Sequence, residues 1–487
     1  MNTFRLAESA ARTVLGRSGL GETSLAEDFL NTPTEPQHIA TRRILLKSGT
    51  IITMDPMLGD FVSGDVLIEG AKIAAVAPHL EATATIIDAS GMIIMPGLVD
   101  AHRHSWSSAF RRAIASADGA AYGHLANSLI PALREEDVHI ASMLSDAGAI
   151  QSGITCLLDH SHMSKSSAIC DAAVQGHIDS GIRAVYSYAP PRSGPSDPAY
   201  PFDVHRLIER FFTNRDRLVT LRLGTRLISE NYALARRLGL GITSDGVFGV
   251  PTPLRPDASS QRLLEMAAAG ELGPDVTLIH GTGFPKEVMS ALRDHGVCLV
   301  LAPTSDSTLR GLGNSVPPIQ QAIDHGMLER TGISVDVEVA LTGDLFAQMR
   351  AIFLIQRIFA NKSWAEGDPS APAPMTVRDV LTMATIGGAR AGGLADTIGS
   401  LTAGKQADLV MMRATGINLG PLNNAVGMVV IGAGVDNVHG VMIGGRLKKW
   451  KGRLLQLDES AILQAATASR DYLGANTGLW NREDIVR

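Results

Sequence analysis

Two histidines separated by one residue, His102 and His104, are the part of this sequence best suited to chemistry. They follow a short apolar run, residues 93–99, which is typical of a buried β-strand. Residues i and i+2 of a strand project from the same face, so both imidazoles would point the same way at the strand's end. Neutral imidazole is a preferred ligand of Zn²⁺ and related ions, and the pair could therefore hold a metal. The alternative is a pair of solvated histidines in a loop.

The elements that would position these histidines belong to a repeating pattern. Apolar strands alternate with helical stretches through the middle of the chain, which predicts a parallel sheet with crossover helices. Eight strands are predicted, ending at His104, at His160, near Pro190, near Ile228, at Asp245, at His280, near Asp306 and at Asp336. Eight such units indicate an α/β fold of the (β/α)₈ TIM-barrel type, whose active site lies at the C-terminal ends of its strands. The histidines and aspartates at those ends are therefore candidate site residues.

Strand-rich segments near both ends of the chain predict a second, smaller domain. Residues 43–77 contain short strands with turn residues between them, and residues 407–412, 428–431 and 438–443 also have strand patterns. Each segment is too small to bury a core alone, so we expect the two to pair into one β-sandwich. The predicted organisation is an N-terminal arm (1–41), a first sandwich segment (42–96), the barrel (97–402), a second sandwich segment (403–456) and a C-terminal helical tail (457–487).

Composition restricts the partners of this protein. Of 487 residues, 45% are hydrophobic and 19% charged, as in a soluble globular enzyme. The net charge of −6 provides no broad basic surface for nucleic acid, and no apolar run is long enough to span a bilayer. Cys156, Cys170 and Cys298 are widely scattered, which fits a reducing cytoplasm. We expect a small-molecule substrate, no nucleic-acid or membrane partner and, from the exposed barrel faces and the arm, a homo-oligomer.

Two stretches are specific enough to indicate a family. They are residues 96–104, PGLVDAHRH, and residues 398–410, IGSLTAGKQADLV, the second of which looks like a return from a barrel into a sandwich. Both resemble the amidohydrolase superfamily, in particular its cytosine-deaminase-like and triazine-hydrolase-like branch. The resemblance implies a metal-dependent hydrolase of carbon–nitrogen bonds (amide, carbamate, urea or ring-amino) with one divalent metal ion, Zn²⁺ being the expected one.

The resemblance also implies roles for individual residues. Members of the family hold one metal with a first-strand His-x-His, a fifth-strand His and an eighth-strand Asp, and a sixth-strand His contacts the substrate or the water. His102 and His104 match the first element, Asp336 matches the last, and His280 matches the sixth-strand position. The ion would lower the pKa of a water to about 7. Asp336 would accept the water's proton and pass it on, and His280 would stabilise the developing oxyanion.

The fifth strand departs from the family pattern, because Asp245 stands where the histidine is expected. Either Asp245 ligates the metal, or it only forms hydrogen bonds and His280 completes the metal shell. The family deaminases also carry a glutamate a few residues later. Residues 246–249 here are GVFG, which argues against a conventional purine or pyrimidine deaminase. The fourth strand lacks the lysine or glutamate that bridges two metals in binuclear members, which favours a single ion.

Further residues are predicted to line the pocket. The resemblance implies substrate contact for the second pair, His160 and His162, although either could be purely structural. Trp106 is expected at the rim or floor, and Asp306 could either accept a substrate donor or be a solvated loop acid. Two other functions stay open: a non-hydrolytic metal-dependent relative (a decarboxylase or isomerase), suggested by the missing histidine and glutamate, and a ligand-binding barrel without turnover.

Overall fold

The computed structural model describes residues 42–116, 118–192, 199–214, 217–251, 258–309 and 314–480. Within these ranges seventeen strands form two sheets. The strands are β1 Arg43–Ile51, β2 Phe61–Glu69, β3 Lys72–Ala77, β4 Thr85–Asp88, β5 Met92–Pro96, β6 Leu98–Arg103, β7 Ile154–Ser161, β8 Arg183–Tyr188, β9 Val219–Gly224, β10 Gly241–Val247, β11 Val276–His280, β12 Cys298–Leu301, β13 Thr331–Ile333, β14 Leu409–Arg413, β15 Val438–Ile443, β16 Arg446–Trp450 and β17 Arg453–Leu454.

Helices and short turns lie between the successive strands from β6 to β13. The α-helices are α1 Gly119–Ala132, α2 Glu135–Gln151, α3 Ser167–Ser180, α4 Val204–Phe211, α5 Ser229–Arg237, α6 Ser260–Ala268, α7 Lys286–Asp294, α8 Pro303–Thr308, α9 Ile319–Asp324, α10 Leu345–Ala365, α11 Val377–Thr382, α12 Gly388–Ala391, α13 Ala425–Gly427 and α14 Glu459–Thr477. Shorter 3₁₀ or π turns are Ser105–Phe110, Leu328–Arg330, Met383–Gly387, Met428–Gly432 and Val435–Asn437. None of the helices in the described part of the chain is both long and apolar enough to cross a bilayer.

The predicted (β/α)₈ barrel is confirmed. Strands β6 to β13 form one parallel sheet in sequence order, and a bridge between Arg103 and Asp336 joins its first and last members. The Asp336 amide donates to the His102 carbonyl (3.1 Å), and the His104 amide donates to the Asp336 carbonyl (3.0 Å). The bonds that close the barrel therefore run through three of the candidate metal ligands and hold their backbones together.

Both ends of the chain meet in the other sheet, as predicted. Its order is β17-β16-β15-β14-β5-β1-β2-β3, with β4 paired to β1, so β5 and β14 join the two ends. Ile68 of β2, Ile94 of β5 and Met442 of β15 share one buried core, which requires the sheet to curl upon itself. The chain then enters the barrel at Gly97, where a Cβ would lie 1.9 Å from Thr155 Oγ1, so only glycine fits this junction.

Some predicted boundaries and elements are wrong. Residues 428–431, predicted as a strand, form a π-helical turn, since a four-residue apolar run has no period that separates strand from helix. The fourth barrel strand ends at Gly224 and not near Ile228. The seventh ends at Leu301, because Pro303 opens α8, and Asp306 lies in that helix. The N-terminal arm (1–41) lies outside the described residues, and so do residues 481–487 of the C-terminal tail.

Candidate metal centre

His102 and His104 lie side by side at the barrel seam, the place where the first barrel strand, β6, meets the segment that follows the last one, β13. Asp336 lies close to both. The two histidines are 0% and 3% exposed. Asp336 Oδ1 is 3.3 Å from His102 Nε2 and 3.4 Å from His104 Nε2. Asp336 follows the very short strand β13 and has a φ of +63°, a left-handed conformation that costs a non-glycine residue about 1–3 kcal/mol. The seam hydrogen bonds sustain that strain, which turns the carboxylate towards the histidine pair.

The tautomer of His104 is fixed by its surroundings. Its Nδ1 donates to the His160 carbonyl over 2.9 Å, which leaves a lone pair on Nε2, the atom that faces Asp336. Burial, together with the neighbouring rings of His162 and His102, lowers the pKa of His104 to about 3. His104 is therefore neutral over the physiological pH range and presents Nε2 as a ligand atom.

Asp245 faces the same point from β10. Its Oδ1 lies 3.8 Å from His102 Nε2, and its Oδ2 lies 3.7 Å from His104 Nε2. Around a tetrahedral Zn²⁺ with bonds of 2.0–2.1 Å, ligand atoms are about 3.3 Å apart. The separations of 3.3–3.8 Å among these four residues are close to that value. The structure thus brings together the four predicted ligands.

The converging atoms do not satisfy one another by hydrogen bonding. His102 Nε2, His162 Nε2 and Asp245 Oδ1 are buried and have no hydrogen-bond partner among the residues that the structure describes. Buried polar atoms in folded proteins nearly always have a partner. Atoms 3.2–3.8 Å apart that point towards common positions without hydrogen-bond alignment fit the first shell of a cation.

His280 and Asp306 form a hydrogen-bonded pair next to this cluster. His280 Nδ1 donates to Asp306 Oδ1 over 2.7 Å, and His280 Nε2 lies 3.3 Å from Asp245 Oδ1. Burial alone would lower the pKa of His280, but Asp306 and Asp245 raise it well above its usual value. Asp306 itself is 0% exposed, so its visible contact is with His280; its predicted contact with substrate stays a prediction.

The second histidine pair lies in the same cluster. His162 Nε2 is 3.2 Å from Asp245 Oδ2, and the His162 ring stacks on that of His104 with centroids 4.5 Å apart. His160 Nδ1 lies 3.2 Å from Ser187 Oγ. Trp106 is buried in the turn Ser105–Phe110. The substrate contacts predicted for His160, His162 and Trp106 remain predictions.

Two residues near the site escaped the sequence reasoning. Ser305 Oγ donates to Asp336 Oδ2, and its place just after the seventh strand could have pointed to it. Glu338 accepts hydrogen bonds from Arg103 Nη1 (2.5 Å) and from Arg111 Nε, and no sequence signal marks it. Arg103 is wholly buried among these contacts.

A cavity of about 600 Å³ opens beside Asp245. Its lining includes Asn127, Arg192, Arg226 and Val247. Pockets of this size hold small-molecule ligands. A small molecule bound there would have the metal cluster at the inner wall of its site.

This chain is similar to known proteins in both sequence and fold. Residues 259–448 match the model of the amidohydrolase family. A 5-methylthioadenosine/S-adenosylhomocysteine deaminase of Caldicellulosiruptor saccharolyticus is 25% identical over 86% of this chain and 96% of its own. An adenosine deaminase of Xanthomonas campestris with bound zinc has a TM-score of 0.76 at 21% identity, covering 89% of this chain and 99% of its own. An atrazine chlorohydrolase of Arthrobacter aurescens, complexed with zinc, has a TM-score of 0.72 at 22% identity, covering 88% and 99%.

Proposed function

We propose that the chain, which resembles the amidohydrolase family over residues 259–448, is a metal-dependent hydrolase that breaks a carbon–nitrogen bond of a small molecule with an activated water. One observation carries the proposal: His102 Nε2, His104 Nε2, Asp336 Oδ1 and the Asp245 carboxylate converge in a buried cluster. The substrate is an amide, carbamate, urea or ring-amino compound held in the cavity beside Asp245.

The proposed ion is Zn²⁺, bound by those four side chains. Zinc accepts both imidazole nitrogen and carboxylate oxygen. Asp245 suits the fourth position better than His280, because its two oxygens lie 3.8 Å from His102 Nε2 and 3.7 Å from His104 Nε2. His280 Nδ1 instead donates to Asp306, and its Nε2 faces the Asp245 carboxylate. A divalent ion bound there would lower the pKa of a water and polarise the bond under attack.

Asp336 is the proposed proton carrier. Ser305 fixes Asp336 Oδ2, and Oδ1 lies beside both histidines, so the carboxylate can take a proton from the water and return it to the leaving nitrogen. His280, held by Asp306, would donate a hydrogen bond to the oxyanion that forms at the attacked carbon.

Phe248 supports the assignment of proton transfer to Asp336 and of oxyanion stabilisation to His280. It lies three residues after Asp245, in the GVFG segment that lacks an acid, and it is 2% exposed. Its ring stacks on His280 with centroids 5.2 Å apart. An apolar ring there packs against His280 and can carry no proton, so we assign proton delivery to Asp336.

The test is a product assay on Zn²⁺-reconstituted protein. We would measure release of ammonia or amine from aminated triazines, adenosine derivatives, cyclic amides, carbamates and ureas in ¹⁸O-water. We expect ¹⁸O in the product, and we expect Asp336→Asn to lower kcat/KM on the order of 10³-fold because a proton carrier and a ligand are lost together. Asp368→Asn, at an exposed loop, is the matched control.

Two results would overturn the proposal. One is a wild-type protein whose turnover survives complete removal of metal by chelation. The other is a product without ¹⁸O, which would indicate a decarboxylase or isomerase. Far-UV circular dichroism of each variant separates loss of chemistry from loss of fold.

A further inference from the structure

The Asp245 carboxylate faces both histidine pairs. Its Oδ1 lies 3.8 Å from His102 Nε2 and 3.3 Å from His280 Nε2, and its Oδ2 lies 3.7 Å from His104 Nε2 and 3.2 Å from His162 Nε2. Ligand atoms of His160, His162 and Asp245 all lie within 4.8 Å of one another. We propose that these three residues hold a second divalent cation, which the Asp245 carboxylate bridges to the first. This inference deepens the proposed function and rests on it.

His162 provides the independent observation. Its side chain is 10% exposed, and its Nε2 has no hydrogen-bond partner among the described residues, although Asp245 Oδ2 is 3.2 Å away. An imidazole and a carboxylate paired only with each other would align N–H with oxygen. Two ligands of one ion need no such alignment, and with bonds of 2.0–2.1 Å they would lie about 3.3 Å apart.

His160 can supply the third ligand atom. It stands two residues before His162 at the end of β7, so the pair repeats the spacing of His102 and His104 on the adjacent strand. When His160 Nδ1 donates to Ser187 Oγ, at 3.2 Å, Nε2 keeps a lone pair. Two neighbouring strands would then each contribute one His-x-His to one of two ions.

In binuclear members of the family, a residue of the fourth strand bridges the two metal ions. Strand β9, Val219–Gly224, has the sequence VTLRLG and offers neither lysine nor glutamate, which led us to expect a single ion. Asp245 from β10 offers a carboxylate whose oxygens face both histidine pairs, at 3.2–3.8 Å. Carboxylate-bridged two-metal sites have ions about 3.5–4 Å apart. The aspartate in place of the fifth-strand histidine is then what allows a second ion.

Metal stoichiometry tests the inference without a substrate. Chelated protein would be reconstituted with Mn²⁺ alone, freed of loose metal by gel filtration, and measured by mass spectrometry of the metal and by electron paramagnetic resonance. We expect about two Mn²⁺ per chain with a spin-coupled spectrum. A His160→Ala/His162→Ala variant should fall to one Mn²⁺ with an isolated-ion spectrum. A His139→Ala/His205→Ala variant, altered at the surface, should keep two.

The outcomes separate this inference from the proposed function. One Mn²⁺ in the wild type, retained in the His160→Ala/His162→Ala variant and lost in His102→Ala, would refute the second position and leave the hydrolase proposal standing. No bound metal in the wild type would refute both. The wild-type count and spectrum decide the matter even if a variant does not fold.

Discussion

Two buried polar clusters meet at the barrel seam, and they differ in how well their atoms are paired. The first, named the ligand cluster after its proposed role, is defined by His102, His104, His162, Asp245 and Asp336. Its polar atoms approach to 3.2–3.8 Å, and several have no hydrogen bond within the described structure. The seam network is defined by Asp100, Arg103, Arg111 and Glu338, whose charged groups hydrogen bond to one another and to backbone carbonyls.

The seam network has a structural role, since its hydrogen bonds link separate segments of the chain. Arg103 Nε donates to Asp100 over 2.7 Å, and its Nη2 donates to the Gly343 carbonyl over 2.9 Å. Asp100 Oδ1 accepts the Val335 amide at 3.0 Å, which joins the first barrel strand to the residue before Asp336. Burying charges is tolerated only when each is paired and hydrogen bonded, and this network meets that condition.

The two clusters show how proposed metal ligands can be told from supporting residues when both are buried. His102, Arg103 and His104 are consecutive. The arginine is satisfied by hydrogen bonds, whereas both histidines turn Nε2 towards Asp336 Oδ1, and His102 Nε2 has no hydrogen-bond partner among the described residues. Pairing state, not burial, distinguishes their roles. The clusters should therefore respond to substitution in opposite ways: the seam network through stability, the ligand cluster through metal and turnover.

Arg103→Met should destabilise the protein more than any other substitution considered below. Removing the guanidinium leaves Asp100 and part of Glu338 as buried, unpaired carboxylates, which should lower the free energy of unfolding by about 3–5 kcal/mol. Urea unfolding of the metal-free protein measures it. Arg43→Met, which breaks the exposed pair with Glu69, should cost no more than about 1 kcal/mol. Equal losses in the two variants would contradict the assignment of the seam network.

A smaller, pH-dependent effect is expected at His177, in a third buried cluster. Its Nδ1 is 2.9 Å from Asp146, and its Nε2 is 3.2 Å from Asp159, the residue before His160. Burial would lower the pKa of His177, but Asp146 and Asp159 raise it to about 10. Below the unfolded pKa of about 6.5 the stabilisation is fully present, and it is lost as pH rises towards 10.

His177→Gln tests that sign. The variant should be less stable than wild type by about 2 kcal/mol at pH 6, since charge-assisted hydrogen bonds are lost, and the gap should narrow as pH approaches 10. Urea unfolding at a series of pH values measures the gap. His139→Gln, which alters a partly exposed pair with Asp179, serves as the control. A gap that stays constant with pH would show that His177 is not held as the cation.

The sequence predicted the barrel from the alternation of strands and helices, and it predicted the second sheet from the strand patterns near both ends of the chain. The candidate residues lie in or just after barrel strands, and the fold brings the ends of parallel strands together. They are His102, His104, Asp245, His280 and Asp336. The hydrogen-bond partners of the buried side chains could not be predicted. Nothing in the sequence places Glu338 against Arg103, 235 residues away, or shows that Asp306 lies in α8 and bonds to His280. Those contacts depend on where each chain segment returns to the seam.

Ser305 contacts the ligand cluster but is itself hydrogen bonded, as the residues of the seam network are. Its substitution should have the smallest effect on activity. Its hydroxyl satisfies Asp336 Oδ2, whereas Oδ1 is the oxygen that lies beside the histidines. A donor to a carboxylate holds its pKa down, so Ser305→Ala should make Asp336 more basic. Asp336 must be ionised to accept a proton. The acid limb of the kcat/KM profile should therefore shift to higher pH, with kcat lowered about 10-fold, as for one hydrogen bond to a charged group.

The exposed neighbour Ser307 provides the matched control, since Ser307→Ala lies in the same helix and leaves Asp336 untouched. A full pH profile of each variant with Zn²⁺ bound measures the effect. If Ser305→Ala loses stability but keeps the wild-type acid limb, its hydroxyl belongs with the seam network as a support. If the acid limb shifts while the stability stays that of the wild type, the Ser305 hydroxyl sets the basicity of Asp336. The presence of a hydrogen-bond partner would then not be enough to assign a buried residue of this region to a structural role.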